Sequence, residues 1–541
     1  MNRTWRYSAI LLLAFVVRVI GIDFGQATSI PQRTDGPPLY EQAAIHPDEY
    51  FYVAIPLQML LKGSLNPGFY ENPSLLIYLD YATFALTGAD DNIRSLNWQD
   101  WNIRELAPFH LYVLGRLYSA LGGILAVAAT IALAHRLKGP RAGELAGLLL
   151  ALAPSLVQHG HYATTSSLAA GFVALCLWAC ITALMTRRKT AFFVLAGIAA
   201  GLATGSRYNA AAVSIAVFVT GILLLWHGRD RKTMLTVLAG YIAFPVIFLL
   251  TTPVVLADFG AFWEQFTFIY NRFSFDENVA LFGGLLYEYR YIVLFGIDVP
   301  GAFAAVIGLL TLRNWRVILV MLAFLLPYSF VVLDTPIPQT GDQLTLLVLP
   351  PLAVLAGIGA NWLMDRLRWR FRAAIIAVGL LTMPAVLTAT IVLLFAEPDT
   401  RQLAQEWVQA NVPAGTRIHL AGGYNVPLDD ARYDLSQSFG QPGEAASLGG
   451  LNIDLAIVSE ASLFYAQRRD NLPQAEKDGI ASEWEQFGRY PLLAEWQQPR
   501  WWGYDLMVNN MSYWHHPTIR IVCLAADGCP DIRQNGAQTS D

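Results

Sequence analysis

The chain has 541 residues, of which 55% are hydrophobic and 14% are charged, and its formal net charge is −5. Soluble proteins carry about 25% charged residues, so this composition excludes an ordinary soluble globular protein. The acidic balance also gives no basic surface of the kind that binds nucleic acid. The charged residues are concentrated between long apolar runs, which predicts a polytopic α-helical membrane protein.

Eleven apolar runs follow one another along the chain, and each predicts a transmembrane helix. A helix of roughly 20 apolar residues crosses the hydrocarbon core of a bilayer. The runs cover residues 5–22, 109–134, 144–158, 164–185, 191–205, 209–226, 234–257, 299–312, 317–333, 344–362 and 373–396. The first run resembles a signal peptide, but its small-residue cleavage site is weak and many further runs follow. We therefore expect the first run to be a retained helix.

The basic residues between the runs predict the orientation of the chain. Alternate connections hold seventeen Lys and Arg residues, whereas the short connections on the opposite side hold one, Arg207. Positively charged connections stay in the cytoplasm, so the N-terminus is predicted to be cytoplasmic. An odd number of spans then places the C-terminus on the other side of the membrane.

Residues 23–108 form the first outer loop, which is too long for a simple connector. Within it, residues 46–61 carry apolar side chains at every third or fourth position, as on an amphipathic helix. Residues 73–86 form a second, more apolar run. Both runs predict helices that lie in the membrane interface.

The C-terminal tail, residues 397–541, combines helix-like and strand-like patterns. Residues 400–409 have helical spacing, and the β-like apolar runs are residues 417–420, 453–458 and 519–524. This alternation predicts a small α/β domain outside the cytoplasm. The preceding residues, 1–396, form the membrane domain.

The segment from His46 to Glu49 places a histidine and two adjacent carboxylates at the start of the first interfacial helix. Pro47 suits a first helical turn, and carboxylates at this end of a helix are stabilised by its dipole. A stabilised helix start is therefore one interpretation. The other is functional: a carboxylate at the membrane edge, such as Asp48, is partly desolvated, which strengthens it as a general base.

Arg207 lies in a tight outer turn between two spans and is the one basic residue of the short outer connections. A guanidinium there is suited to bind a phosphate headgroup. The alternative is a side chain that merely extends to the outer interface. Arg18, about one turn from the outer end of the first span, has the same alternatives, since charges inside a membrane are functional candidates by default.

His159, His161 and Tyr162 stand together at the outer end of another span. Two histidines at positions i and i+2 do not share a helix face, so a shared metal ion is not favoured. Hydrogen bonding to a polar headgroup or substrate and a purely interfacial role remain as interpretations. The sequence has no phosphate-binding loop, dinucleotide fingerprint, HExxH or GxSxG motif. No cofactor is therefore predicted, and dependence on a divalent metal stays open.

These segments carry a resemblance to a known superfamily. The chain resembles the C-type glycosyltransferases, in particular the bacterial phospholipid carrier-dependent enzymes related to protein O-mannosyltransferases and aminoarabinose transferases. The matching motifs are HPDE at 46–49, NPGFYENPS at 66–74, HGHYATT at 159–165, GLATGSRYN at 201–209 and HPTIRIV at 516–522. The resemblance thus runs from the first span nearly to the end of the chain.

The resemblance implies an inverting enzyme of the plasma membrane that transfers a hexose or pentose from a polyprenyl-phosphate donor at the outer face. Asp48 matches the catalytic acidic position and is expected to be the general base for the acceptor hydroxyl. Glu49 is expected to orient the acceptor or to share the role of base. Arg207 is expected to stabilise the leaving phosphate, where negative charge develops in the transition state.

The donor headgroup is expected to meet a second set of residues. His159, His161 and Tyr162 match the family motif near the headgroup, and Arg18 and His46 are further candidates for headgroup binding. The implied partners are the polyprenyl-phosphate sugar, an acceptor glycan, lipid or protein, and the lipid bilayer. Nucleic acid and a nucleotide sugar are not implied.

The sequence departs from the family pattern at two positions. An aspartate often follows the histidine motif, whereas Ser166 and Ser167 occupy this place here. Many relatives also have an Arg-Tyr pair at the entry of a late span, where this chain has the uncharged Gln343. The phosphate is therefore expected to depend more strongly on Arg207 and Arg18.

Two other functions compete with the transferase. A transporter or lipid flippase predicts paired charges or broken helices near the middle of the bilayer, but the notable polar residues cluster at the outer ends of the spans. A non-catalytic membrane scaffold with an outer binding domain requires none of Asp48, Glu49 and Arg207. The retention of all three favours the enzyme over the scaffold.

Overall fold

The structure, a computed structural model, describes residues 3–25, 46, 48–88, 109–273, 283–333, 341–368, 370–422, 425–438, 453–461, 474–497 and 516–525. The chain divides into two compact units. The first contains Met1–Ile22, Asp48–Asn92 and Leu111–Val392, and the second contains Asp23–Pro47, Ile93–His110 and Leu393–Asp541. The boundary predicted between residues 396 and 397 stays a prediction.

Helices dominate the described part of the chain. The helices up to residue 185 are α1 (Arg3–Val19), α2 (Glu49–Lys62), α3 (Leu75–Thr87), α4 (Phe109–Lys138), α5 (Pro140–Ala151), α6 (Pro154–Gln158) and α7 (Ser166–Met185). Those that follow are α8 (Lys189–Ser206), α9 (Val213–His227), α10 (Arg231–Thr251), α11 (Val254–Ala257), α12 (Phe259–Phe273), α13 (Gly283–Tyr291), α14 (Asp298–Thr311), α15 (Trp315–Tyr328), α16 (Gly341–Thr345), α17 (Leu349–Arg366) and α18 (Arg372–Ala396). The 3₁₀ turn Tyr208–Ala212 lies between α8 and α9.

Eight helical stretches in the described part are long and apolar enough to cross a membrane. A polytopic helical membrane protein is therefore confirmed, whereas the number of eleven spans is not. The predicted span 144–158 is divided into α5 and α6, because Pro154 has no N–H with which to continue the helix. The predicted span 344–362 contains α17, which begins only at Leu349.

The two helices predicted in the first outer loop are present as α2 and α3. Each ends at a glycine with a left-handed backbone, Gly63 with φ of 62° and Gly88 with φ of 66°. The two helices pack on each other through an apolar cluster: Tyr52, Ile55, Met59, Leu76 and Ile77. This packing fixes the helix whose first residues carry the predicted catalytic carboxylates.

Glycine permits a very close approach of α14 and α17. A Cβ atom on Gly308 would overlap the carbonyl oxygen of Leu355, and one on Gly359 would overlap that of Ala304. Without a hydrophobic driving force between helices in lipid, such close contacts supply the van der Waals energy of association. These two glycines therefore hold the helix that follows α16 against its neighbour.

The second unit contains a five-stranded sheet and is built as predicted, as a small α/β arrangement. Its elements are α19 (Thr400–Asn411), β1 (Arg417–Ala421), β2 (Asp434–Ser438), β3 (Leu455–Ser459), α20 (Gln474–Phe487), β4 (Leu492–Trp496) and β5 (Ile519–Cys523). The strand order is β2-β1-β3-β5-β4. The first three strands are parallel, with Ile418 opposite Leu455, and β5 runs antiparallel to both of its neighbours.

The last predicted motif, at residues 516–522, joins this sheet to α19. Asp399 caps α19 and also accepts a hydrogen bond from the backbone N–H of His516 at 2.9 Å. The ring Nε2 of His516 lies 2.8 Å from the carbonyl oxygen of Leu394. This motif therefore anchors the start of β5 within the second unit.

We predict that Gly308→Ala lowers the stability of the protein by about 1–3 kcal/mol, because the added methyl group forces α14 away from α17. Thermal unfolding in a mild detergent measures the change. Gly379→Ala is the matched control, since a Cβ atom at Gly379 in α18 meets nothing within 4 Å. A melting temperature lowered equally in both variants would contradict the close-packing argument.

Candidate active site

Asp48 occupies the N-cap position of α2, but its side chain makes no capping hydrogen bond. Its Oδ2 atom instead accepts a hydrogen bond of 3.1 Å from Nε2 of Gln343. An aspartate that caps a helix typically stabilises it by about 1 kcal/mol, and this contribution is not used here. Asp48 therefore does not cap α2 through a side-chain hydrogen bond, and its role as a general base stays a prediction.

Arg207 lies at the junction between α8 and the 3₁₀ turn, with an extended backbone. Its Nη1 atom donates hydrogen bonds to Oε1 of Gln343 at 2.8 Å and to Oγ of Ser166 at 2.5 Å. The guanidinium is thus held inside the first unit by polar side chains. The side chain of Arg207 is partly buried.

Gln343 therefore connects Asp48, the expected general base, with Arg207, the residue expected to stabilise the leaving phosphate. One end of its side chain contacts both the Asp48 carboxylate and the Arg207 guanidinium. The three residues are widely separated in sequence and lie on α2, on α16 and at the end of α8. All three belong to the first unit.

Two tyrosines complete the surroundings of this group. The Tyr52 hydroxyl forms a hydrogen bond with the side chain of Thr165. Burial, followed by the nearby charge of Asp48, raises the pKa of Tyr52, so this hydroxyl stays neutral and can donate a hydrogen bond. The Tyr328 hydroxyl donates to the carbonyl oxygen of Leu344 at 2.8 Å, which fixes α16 against α15.

Glu49 has a different environment from its neighbour Asp48. Its carboxylate is fully buried and forms a two-pronged ion pair with Arg116, with distances of 2.7 Å from Nε to Oε1 and 3.1 Å from Nη2 to Oε2. Its Oε1 atom also accepts the backbone N–H of Ala163 at 2.8 Å. Nη1 of Arg116 donates to the carbonyl oxygen of Ile22 at 2.8 Å. Glu49 therefore ties the start of α2 to α4, to the end of the first span and to the histidine motif.

The histidine motif forms a buried turn between α6 and α7. The rings of His159 and Tyr162 meet edge to face with centroids 5.5 Å apart, and Gln158 donates to the Tyr162 hydroxyl at 3.1 Å. The two ring nitrogens of His161 lie 2.9 Å from the carbonyl oxygens of Val157 and Ile20. Burial lowers the pKa of His161 to about 4, so the ring is neutral at pH 7.

Arg18 is fully buried and donates to the carbonyl oxygens of Ala14 at 2.8 Å and Ala151 at 3.3 Å. Gly123 and Gly160 contact its side chain and leave the space that it fills. The side chain therefore lies inside the first unit and does not reach the interface. His46 is also buried and belongs to the second unit.

The structure brings Asp48 and Arg207 together and assigns Glu49 to an adjacent ion pair. It also adds residues that the sequence reasoning did not identify as functional: Gln343, Ser166, Tyr52, Thr165 and Arg116. A signal existed for two of them, since Gln343 and Ser166 occupy the positions where the sequence departs from the family pattern. Within the described ranges, no three His, Cys, Asp or Glu residues form a group that fits a metal ion.

The chain was compared with known families and solved structures. Residues 103–256 match the family model described as dolichyl-phosphate-mannose-protein mannosyltransferase. The crystal structure of ArnT from Cupriavidus metallidurans bound to undecaprenyl phosphate is 14% identical, with a TM-score of 0.51 over 98% of this chain and 100% of that chain. AglB from Archaeoglobus fulgidus, in complex with an inhibitory peptide and a dolichol-phosphate, is 13% identical, with a TM-score of 0.45 over 91% and 73%. No protein of curated function matches the sequence.

The likeness to ArnT extends over the whole fold, and its low identity makes it evidence for the fold alone. The resemblance to the C-type glycosyltransferase superfamily is confirmed by this fold together with the family match. The matched segment includes the histidine motif, Ser166 and Arg207, whereas Asp48 and Gln343 lie outside it.

We predict that Glu49→Gln destabilises the protein by about 3–5 kcal/mol, because it leaves the buried Arg116 guanidinium without its counter-charge. Thermal unfolding of the purified protein measures the loss. The matched control is Asp365→Asn, which removes an ion pair of similar length, 2.8 Å, between two exposed side chains. Equal stability of wild type and Glu49→Gln would show that the ion pair does not anchor α2.

Proposed function

We propose that the protein is an inverting glycosyltransferase that moves a sugar from a polyprenyl-phosphate donor to an acceptor hydroxyl at the outer face of the membrane. One observation carries this proposal: a carboxylate and a guanidinium, Asp48 and Arg207, contact the same side chain within one unit. The superfamily fold and the family match support lipid-linked-sugar transfer as the general class of reaction.

Asp48 acts as the general base in this proposal. Its carboxylate takes the proton of the acceptor hydroxyl while the acceptor oxygen attacks the anomeric carbon of the donor sugar. The bond from this carbon to the phosphate oxygen breaks, and its electron pair remains on the phosphate. A single displacement of this kind gives the glycoside with inverted configuration and free polyprenyl phosphate.

Arg207 stabilises the phosphate as it leaves. Negative charge grows on the phosphate oxygens in the transition state, and a guanidinium already held in place lowers the energy of this charge without reorganisation. Ser166 and Gln343 hold the guanidinium through Nη1. The remaining N–H groups of Arg207 are suited to face the donor phosphate.

Glu49 acts as a positioning residue in this proposal. Its carboxylate is fully buried, and each of its two oxygens accepts a hydrogen bond from Arg116. This arrangement supports a role in placing Asp48 and does not favour proton transfer by Glu49 itself. His159, His161, Tyr162, Arg18 and His46 remain proposed neighbours of the donor headgroup.

We further propose a plasma-membrane location with the N-terminus in the cytoplasm and the sheet-containing tail outside. The distribution of Lys and Arg between the predicted spans supports this orientation. The proposed acceptor is a glycan, lipid or protein reached from the outer face, and no cofactor is assigned.

The proposal is tested by sugar transfer from a panel of polyprenyl-phosphate sugars by purified protein in lipid. Asp48→Asn is expected to lower kcat by about 10²–10⁴-fold with the fold intact, because the amide cannot accept the acceptor's proton. Asp365→Asn is the control, since this exposed residue forms its ion pair of 2.8 Å with the equally exposed Arg141. Transfer that survives in Asp48→Asn would move the base elsewhere, with Glu49 tested first.

The same assay, run over a range of donor concentrations, tests Arg207. Arg207→Ala is expected to impair use of the donor more than Arg207→Lys, since lysine keeps the charge but loses the forked geometry. Near-wild-type kinetics in both variants would remove the phosphate role.

The orientation is tested by a reporter that is active only outside the cytoplasm, fused after Asp541. We expect activity from this fusion and none from a fusion in the connection near Arg187, which the charge pattern places in the cytoplasm. A cytoplasmic signal from the C-terminal fusion would contradict the proposed topology.

A further inference from the structure

We propose that Gln343 is a positioning residue for transfer: its amide holds Asp48 and Arg207 at a fixed separation and prevents them from forming a direct ion pair. This inference rests on the proposed function and extends it to a residue outside the family match. It follows from the contacts of the amide, the chemistry of its two partners and the anchoring of α16.

The contacts define the direction of the amide. A carboxylate accepts hydrogen bonds and a guanidinium donates them, so the amide between the two must present its nitrogen to one and its oxygen to the other. Nε2 of Gln343 lies 3.1 Å from Oδ2 of Asp48, and Oε1 lies 2.8 Å from Nη1 of Arg207. The carboxylate thus accepts from the amide N–H, and the guanidinium donates to the amide oxygen.

The neutral amide separates the two charged groups. Arginine and carboxylate groups pair strongly and often through two parallel hydrogen bonds when nothing separates them. A direct pair would engage the carboxylate needed by the acceptor hydroxyl and the guanidinium needed by the donor phosphate. The Gln343 amide instead contacts Oδ2 of Asp48 and Nη1 of Arg207.

The backbone around Gln343 is held firmly enough for this role. Leu344, the next residue, is buried and accepts the Tyr328 hydroxyl at 2.8 Å through its carbonyl oxygen. Thr345 and Leu346 are also buried, and the chain then enters α17. The glycine contacts between α17 and α14 fix that helix in turn. The chain that follows Gln343 is therefore well packed, which restrains the position of the Gln343 side chain.

The first test uses no substrate. A double-mutant cycle compares the melting temperatures of wild type, Asp48→Ala, Gln343→Met and the double variant. We expect the effects to be non-additive, because the hydrogen bond between the two residues is lost once in each single variant and cannot be lost again in the double variant. Additive shifts would overturn the bridge whether or not a donor sugar has been found.

The second test separates positioning from a merely structural role. Gln343→Met has a similar volume but no amide, and we expect kcat/KM for the donor to fall by about 10²-fold as the charges close on each other. Gln343→Glu keeps an acceptor for Arg207 but places a carboxylate against Asp48. The added charge disfavours the ionised base, so the acidic limb of the pH–rate profile is expected to move to higher pH.

Gln58→Glu is the matched control for the added charge. Gln58 lies on the same helix, ten residues from Asp48, which is about 15 Å along the helix axis and beyond the Debye length of about 10 Å at 0.1 M salt. Its profile is expected to coincide with that of the wild type. An unshifted profile in Gln343→Glu, or wild-type kcat/KM in Gln343→Met, would overturn the inference while Asp48→Asn still reports on the proposed function.

Discussion

The buried ion pair between Glu49 and Arg116 is the interaction on which the candidate site depends. Removing two charged groups from water costs free energy unless each is paired and hydrogen-bonded, and this ion pair meets both conditions. Its partners connect α2 to α4, to Ile22 at the end of the first span and to Ala163 beside the histidine motif. Because Glu49 is fixed in this way, the adjacent Asp48 is held at the entry of α2.

The Asp48 carboxylate accepts a hydrogen bond from Gln343, and this contact defines the candidate site. The two adjacent carboxylates have different surroundings. The Glu49 carboxylate is buried against Arg116, whereas the Asp48 carboxylate accepts a hydrogen bond from the uncharged Gln343 amide. The amide in turn accepts a hydrogen bond from Nη1 of Arg207, and the same nitrogen donates to Ser166. The proposed single displacement at a sugar phosphate needs a base that takes the acceptor's proton and a cation that stabilises the charge developing on the phosphate. Asp48 and Arg207, joined by the neutral Gln343 amide, match this need.

Much of this arrangement was predictable from the sequence. The spacing of apolar residues identified α2 and α3, and the strand-like runs identified β1, β3 and β5, because both signals are local periodicities. The strands β2 and β4 were missed: β2 is mostly polar, and β4 is half-buried apart from the exposed Leu492. The roles of Gln343 and Arg116 were also missed, because their partners lie on distant helices that only tertiary packing brings near. The sequence did mark the positions of Gln343 and Ser166 as unusual, without indicating that they contact Arg207.

The central claim is that Asp48 and Arg207 act on opposite sides of one anomeric carbon in a single displacement. The anomeric configuration of the product measures this most directly. Purified protein in lipid is supplied with a polyprenyl-phosphate sugar of defined configuration, and the glycoside formed is examined by NMR before it can isomerise. The account predicts the inverted configuration. A retained configuration would contradict it, because retention requires two displacements and a covalent intermediate, with a carboxylate as nucleophile in place of a base.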